Sequence, residues 1–431
     1  MTNGASEKKK FLFVSNEALI GDLAWKVKNE GHDIKYFIGD KSQKDVCDGF
    51  VDKAEKWEDF KDWADVIVFD DICFGTEAEK LRNEGKMVVG GSVYADKLEV
   101  DRDFGYNEMV SAGISVIPSW FFKDFDEAIK FIQTHPDRYV IKPSGEEDEQ
   151  KELLFVGEEE DGKDIIQILE IYKARWSKQI KAFQMQKHIS GVEIAVGAFF
   201  NGEDFIYPIN VNFEHKKLFP GNIGPSTGEM GTSMYWSQPN VIFNATLLKM
   251  KDKLKQSGYV GYIDINCIVN GRGIYPLEFT SRFGYPTISI QMEGVLSEWG
   301  DFLYALAKKE PFDLKTKKGF QVGVVLAVPP FPFTDPIAFK KYSQDATIIF
   351  KKPNLDGVRL GDVKLVNGEF LLAGESGYAL VIVGTGTTME ETRKNVYNKI
   401  SNIIIPNMFY RTDIGERWFT DSDKLFAWGY I

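Results

Sequence analysis

Cysteine is scarce in this chain. Its 431 residues hold three, Cys47, Cys73 and Cys267, with neither paired nor metal-type spacing. That argues against a disulfide scaffold or a cysteine-based zinc site, and the three read as buried thiols in a reducing cytoplasm. The four histidines are scattered and form no ligand cluster. No apolar run approaches the ~20 residues that a membrane-spanning helix needs. Residues 1–10 read as a frayed polar tail, and the short apolar stretch 11–14 after them reads as a strand and not a signal peptide. Positive charge is also in deficit: 52 Lys and Arg stand against 64 Asp and Glu, a formal charge of −12. Non-specific binding to nucleic acid or to an anionic membrane is therefore disfavoured, while local cations can still meet an anionic small molecule. No Gly-x-Gly-x-x-Gly follows the first apolar strand, so a dinucleotide-dependent oxidoreductase lacks its signature. Repeats and low-complexity segments are absent.

What the chain has is apolar and aromatic residues, 43% and 14%, ample for packed cores in two to four units. Segments 11–15, 33–38, 64–69 and 87–89 read as strands, with helices at 22–30 and 75–84 between them. Strand alternating with helix predicts a doubly wound parallel sheet, whose ligand crevice lies at the carboxyl ends of the strands. A capping-box start at Asp124 predicts a helix to about 133. Further helices are expected at 164–181, 241–257, 297–307 and 388–403. The lysine-rich segment 308–318, with Pro311, marks a boundary. Strands at 321–328, 347–350, 369–372 and 379–385 then predict a small α+β unit. The expected division is 1–117, 118–190, 191–312 and 313–431, of mixed α/β and α+β class.

The stretch 275–286, Tyr-Pro-Leu-Glu-Phe-Thr-Ser-Arg-Phe-Gly-Tyr-Pro, carries chemistry. Alternation along a strand puts Glu278, Thr280 and Arg282 on one face. An earlier strand, 259–269, carries Asp264 and Asn266, and Asn270-Gly271-Arg272-Gly273 is a strong hairpin turn. Folding back there brings Asp264 or Asn266 beside Glu278. Oxygen ligands from neighbouring strands suit Mg2+, which takes one or two carboxylates plus phosphate oxygens. The competing reading is a surface hairpin with a solvated polar face.

Other segments share this character. Val140-Ile141-Lys142-Pro143 delivers a lysine to a strand end. Gly191-Val192-Glu193 follows 51 residues after Lys142. Glu214-His215-Lys216-Lys217 precedes Gly224-Pro225-Ser226-Thr227-Gly228-Glu229-Met230-Gly231, where glycines allow a tight anion- or substrate-binding loop. Tyr410-Arg411-Thr412-Asp413-Ile414-Gly415 lies near the end.

Together these segments resemble ATP-grasp ligases, and most closely the phosphoribosylamine–glycine ligase family. That family reads Leu-Glu-Phe-Asn-x-Arg-Phe-Gly-Asp-Pro-Glu at the metal strand, Asp-His-Lys-Arg and Gly-Pro-Asn-Thr-Gly-Gly-Met-Gly at the two loop motifs, and Tyr-Arg-x-Asp-Ile-Gly at the end. The resemblance covers about residues 11–417 and implies an ATP-grasp fold with an N-terminal parallel-sheet unit. It implies ATP and Mg2+ (or Mn2+) as cofactors, with small-molecule carboxylate and amine substrates. Arg102 and Lys142 then meet phosphate, Gln186, Lys187 and Ile189 line an adenine hinge, and Glu193 binds ribose. Glu278, Asp264, Asn266 and Thr280 supply the metal site. Lys216, Lys217 and Arg282 take catalytic roles. Gly224, Ser226, Thr227, Gly228 and Gly231, again with Arg282, contact substrate.

The implied reaction is ATP-dependent carbon–nitrogen ligation through an acyl phosphate, in a cytoplasmic monomer or small homo-oligomer that binds neither nucleic acid nor membrane. The chain departs from the family at several places. Ser15-Asn16-Glu17-Ala18 replaces a glycine-rich phosphate loop, the acidic run 146–152 replaces a glycine-rich cover, and Thr280, Tyr285 and Thr287 replace Asn, Asp and Glu. A ligase for another amine, and a nucleotide-binding regulator without turnover, are the alternatives.

Overall fold

The computed structural model describes residues 7–144 and 153–431. The acidic run 146–152 and most of the expected polar tail lie outside the described residues. Lys10–Ser15, Asp33–Ile38, Val66–Phe69 and Met87–Val89 form a four-stranded parallel sheet with Lys10–Ser15 and Val66–Phe69 at its centre. Phe11, Leu12, Phe13 and Val14 are all fully buried. A continuous apolar run suits a strand covered on both faces.

A second sheet, antiparallel, is built from Ser119–Phe122, Ala182–Lys187, Tyr139–Ser144 and Phe155–Val156. Helices Phe125–Thr134 and Lys163–Trp176 pack with it around Phe125, Ile132, Ile141, Leu169 and Phe183. The first of these helices starts where the capping box predicts: the Asp124 carboxylate accepts the Glu127 N–H at 2.9 Å.

The third sheet has eight antiparallel strands, in the order Gly273–Thr280, Gly261–Asn270, Val192–Phe200, Phe205–Glu214, Gly231–Ser237, Phe320–Ala327, Tyr378–Gly386, Val358–Leu360. The boundary expected at 312 is therefore no break in the sheet: Gly231–Ser237 pairs with Phe320–Ala327, from Gly231 opposite Val324 to Tyr235 opposite Phe320. Charge and proline at 308–318 mark an exposed connection, and a connection can join two strands of one sheet. The rest of the C-terminal segment forms a small sheet, Val363–Val366, Glu369–Leu372, Thr347–Phe350 and Ile403–Ile404. It leans on the N-terminal unit, where the Cys47 N–H donates to the Val363 carbonyl at 2.8 Å and Phe50 meets Phe370.

Two local expectations are corrected. The helix expected at 241–257 is broken into Val241–Ala245, a tighter turn Leu247–Met250 and Lys251–Gln256. Thr246 causes the break: its hydroxyl donates back to the Ile242 carbonyl at 2.6 Å and its backbone leaves the helical region. Cys73 is exposed, whereas Cys47 and Cys267 are buried as expected. Among the described residues no helix is long and apolar enough to cross a membrane.

Gly231 stands at a close approach of two strands in this sheet. Its φ is +151°, and a Cβ there would sit 2.5 Å from the Gly323 carbonyl oxygen of the paired strand. Gly231→Ala should cost about 1–3 kcal/mol in thermal or urea unfolding, the range for a side chain forced into such backbone.

Candidate active site

The hairpin forms with its turn at Asn270 and Gly273. Its register puts Asn266 opposite Glu278 and Asp264 opposite Thr280. Asn266 is therefore the direct neighbour of Glu278. Asp264 lies two pairs further on, buried, with Oδ1 lacking a hydrogen-bond partner. Burial pushes its carboxyl well up, Glu214 adds to this, and Thr280 and Arg282 oppose it.

Glu278 meets charged groups brought from three parts of the chain. Lys216 Nζ lies 3.1 Å from its Oε1, and Arg102 Nη1 lies 3.4 Å from its Oε2. Lys216 also lies 3.3 Å from Glu214 and 3.9 Å from Glu193. Asn266 Nδ2 donates to Glu214 Oε2 at 2.9 Å. Lys142 arrives from the second sheet, close enough to interact with Glu278, Arg102, Lys216 and Glu193. Lys216 and Arg102 hold the Glu278 carboxyl well below the usual range against the cost of burial. Burial opposes the Lys216 charge, but Glu278, Glu214 and Glu193 outweigh it and raise its ammonium. Lys142 has less compensation, and burial brings its ammonium down to about 8. The side chains of Glu278, Lys216 and Glu193 remain 37–40% exposed, so the cluster opens onto a cleft.

Glu214 belongs to this cluster and was missed as a site residue. The signal was present, since Glu214 stands at the acidic position of the Glu-His-Lys-Lys motif.

The loop after Lys216 is fastened from both sides. Thr227 donates its N–H and its hydroxyl to the Lys216 carbonyl, each at 2.8 Å. Strands Lys217–Phe219 and Ile223–Ser226 pair, with Lys217 opposite Ser226. Gly224 has φ +85° and packs on Phe219, Gly231 serves the sheet, and Gly221 and Gly228 have open space where a Cβ would be. Of these two, Gly221 gives its N–H to Asp413. Glu229 is buried beside Gly228, with Oε1 unpartnered.

From behind, Arg411 donates Nη1 to the Lys217 carbonyl at 2.8 Å and grips Asp413 through Nε and Nη2 at 2.8 and 2.7 Å. Asp413 in turn accepts the Gly221 N–H at 2.9 Å. Arg417 reaches two site strands at once, donating to the carbonyls of Glu193 at 2.6 Å and Glu214 at 3.2 Å. The C-terminal motif therefore holds the site loop in place. Arg411→Ala leaves Asp413 without its partner, and about 3–5 kcal/mol of stability should be lost in calorimetric unfolding.

Two other expected groupings change. Lys187 pairs its side chain with Asp137, and Gln186 donates to Ser119 at 3.2 Å, so both side chains are engaged within the second sheet. These two and Ile189 lie where Ala182–Lys187 passes into Val192–Phe200 of the large sheet. With the Gln186 and Lys187 side chains engaged, this connection between the two sheets has its backbone left to offer. Arg282 does not continue the Glu278–Thr280 row. The strand ends at Thr280, beyond which alternation no longer applies, and Arg282 turns to the N-terminal unit. Its Nε lies 3.0 Å from both Glu99 and Asp71.

Among the described residues no group of three or more His, Cys, Asp or Glu side chains is arranged to hold a metal by itself. Glu278, kept ionised, with Asn266 and Glu214 beside it, is a partial oxygen shell that phosphate oxygens would complete. Three cations, Arg102, Lys142 and Lys216, border that shell. The donor set fits Mg2+ together with a nucleoside triphosphate.

Comparison with known proteins agrees. Residues 101–288 match the family model of the phosphoribosylglycinamide synthetase ATP-grasp (A) domain. The phosphoribosylamine–glycine ligase of Streptococcus pneumoniae is 26% identical over 367 residues, covering 81% of this chain and 82% of that protein. The structure of phosphoribosylamine–glycine ligase from Thermotoga maritima superposes with a TM-score of 0.71 at 20% identity, covering 94% of this chain and all of that one. Biotin carboxylase from Campylobacter jejuni superposes at 0.64 and 14% identity, covering 100% and 98%.

The fold is ATP-grasp, and the chain is similar to ATP-dependent ligases of the carboxylate–amine class. Within that class it is a divergent relative of phosphoribosylamine–glycine ligase.

Proposed function

We propose that this chain joins glycine, or another small amino acid, to an amine through an acyl phosphate. The observation that carries the reading is the meeting of Lys142, Arg102 and Lys216 with Glu193 and Glu278 at one cleft. ATP supplies the phosphoryl group that activates the carboxylate, and the divalent ion screens the charge of the phosphates. The protein's share is positioning and electrostatics, with no covalent nucleophile.

Arg102 and Lys142 hold phosphate oxygens. Glu193 accepts the ribose hydroxyls, and the hinge backbone at 186–189 meets adenine. Glu278 and Asn266 hold the metal, with Asp264 and Thr280 behind them. Lys216, fixed by Glu278 and Thr227, stands beside the oxygens that gain charge during transfer. Lys217, Ser226, Thr227 and Gly228 border the substrate. Arg282 takes a positioning role: it ties the end of the metal strand to Asp71 and Glu99 of the N-terminal unit. The reading includes a cytoplasmic monomer or small homo-oligomer without nucleic-acid or membrane partners.

The test is ADP release with Mg2+, glycine and a panel of amines, with the product followed by mass. An amide that accumulates in step with ADP supports the reading. ATP binding without ADP release for any acid and amine pair would overturn it.

A further inference from the structure

Arg282, paired with Asp71, and Tyr285 join the end of the metal strand to the carboxyl ends of the parallel strands, where open α/β sheets bind their ligands, and the charge there is of the opposite sign. The nucleotide end holds Arg102, Lys142 and Lys216. At the far end Ser15 closes the first strand and Asp70 follows the third. Asp70 is 1% exposed, and neither of its carboxylate oxygens has a hydrogen-bond partner. The hydroxyls of Ser15 and Tyr36, both fully buried, face it, with Ser15 near enough to act on both Asp70 and Tyr36, and no charged group of opposite sign pairs with the carboxylate among the described residues. Tyr285, just beyond the metal strand, donates its hydroxyl to the Asp70 carbonyl at 3.2 Å and so joins this crevice to the rest of the site.

The C-terminal segment adds more negative charge near Tyr36. Asp362 is buried there beside Glu17, and Tyr378 lies between Asp362 and Glu229. Among the described residues the cations nearby are already matched: Arg282 by Asp71 and Glu99, Arg359 by Glu293, and Lys53, over the Tyr36 ring, by Asp48. A phosphate placed here would meet carboxylates and, among the described residues, neither a free cation nor a glycine-rich loop of N–H donors. An alkylammonium or guanidinium group would instead supply the missing partner for Asp70, with Ser15 and Tyr36 as oxygen acceptors.

We propose that this crevice binds the amine substrate through a second, cationic group and that the substrate carries no phosphate there. The inference rests on the ligase reading above. The reacting nitrogen is the substrate's other, neutral amine. It forms the bond to the acyl carbon, phosphate leaves with the bonding pair, and the nitrogen loses a proton. The anchoring cation is unchanged.

The test uses the full chain with Mg2+ and a non-hydrolysable ATP analogue. Calorimetry measures binding of 1,4-diaminobutane, agmatine and ribose 5-phosphate. ADP release with ATP and glycine is then compared for the two cations and for phosphoribosylamine. One or both cations should bind and ribose 5-phosphate should not. Asp70→Asn should raise the KM of the binding cation at least tenfold, leaving the KM for ATP unchanged. Ser15→Ala, a smaller change, should raise it several-fold and serves if Asp70→Asn does not fold. Binding of ribose 5-phosphate, turnover with phosphoribosylamine alone, or binding of neither cation overturns the proposal. Turnover with phosphoribosylamine alone would leave the ligase reading standing. Cation binding lost in Asp70→Asn, with no ADP release for any amine, would keep the crevice assignment and remove the ligase reading.

Discussion

Glu278→Ala should lower ATP-dependent turnover on the order of 10³-fold, the scale seen when one preorganised charged or polar group is taken from a reacting centre. Glu278 touches Lys216 at 3.1 Å and Arg102 at 3.4 Å, and Lys142 is close by. Without the carboxylate the three cations face one another and the metal loses its ionised ligand. Stability should change little, because the side chain is 40% exposed and its ion pairs are screened by solvent. Steady-state ADP release together with a melting curve checks both halves. Full turnover in a folded Glu278→Ala protein would remove Glu278 from the site.

Lys142→Met should weaken ATP binding by roughly 10–150-fold, the equivalent of about 1.5–3 kcal/mol for one charge-assisted hydrogen bond. A pH dependence accompanies it. Burial lowers the Lys142 ammonium to about 8, Glu278 draws it back, and Arg102 and Lys216 push it further down. Below pH 8 the side chain is charged and ready for phosphate. Above pH 8 it is neutral, and binding must first return a proton to it. ATP affinity should therefore be flat below pH 8 and fall about tenfold per pH unit above it, with proton uptake on binding. In Lys142→Met the break near pH 8 should vanish. Calorimetry in buffers of different ionisation enthalpy reads both the affinity and the proton.

The parts of this architecture written in local pattern were legible. Phe11–Val14 and Val66–Phe69 announce buried parallel strands because every position is apolar. The hairpin could be placed because Asn270–Gly273 fixes a turn, and a turn fixes which residues face each other. Its register could not be read to the residue, which left Asp264 and Asn266 open until the pairing of Asn266 with Glu278 decided between them.

What escaped depends on distant pairing. Nothing local says that Phe320–Ala327 lies beside Gly231–Ser237, so a charged linker looked like a domain boundary. Arg411 and Arg417 are ordinary residues until the fold buries or aims them at carbonyls about two hundred residues away. Arg282 was misjudged because alternation was carried two residues beyond the strand's end. Glu229 and Glu214 sat in quoted motifs, but their burial beside Lys216 is a property of the closed loop.

The central claim is that Lys142, Arg102, Glu193, Lys216 and Glu278 surround one nucleoside triphosphate and its metal. A crystal structure with Mn2+ and a non-hydrolysable ATP analogue, phased to show manganese by anomalous scattering, tests it most directly. The account predicts manganese on the Glu278 carboxylate, phosphates against Lys142 and Arg102, and ribose at Glu193. Nucleotide bound in the crevice of the parallel sheet, with no manganese at Glu278, would contradict it.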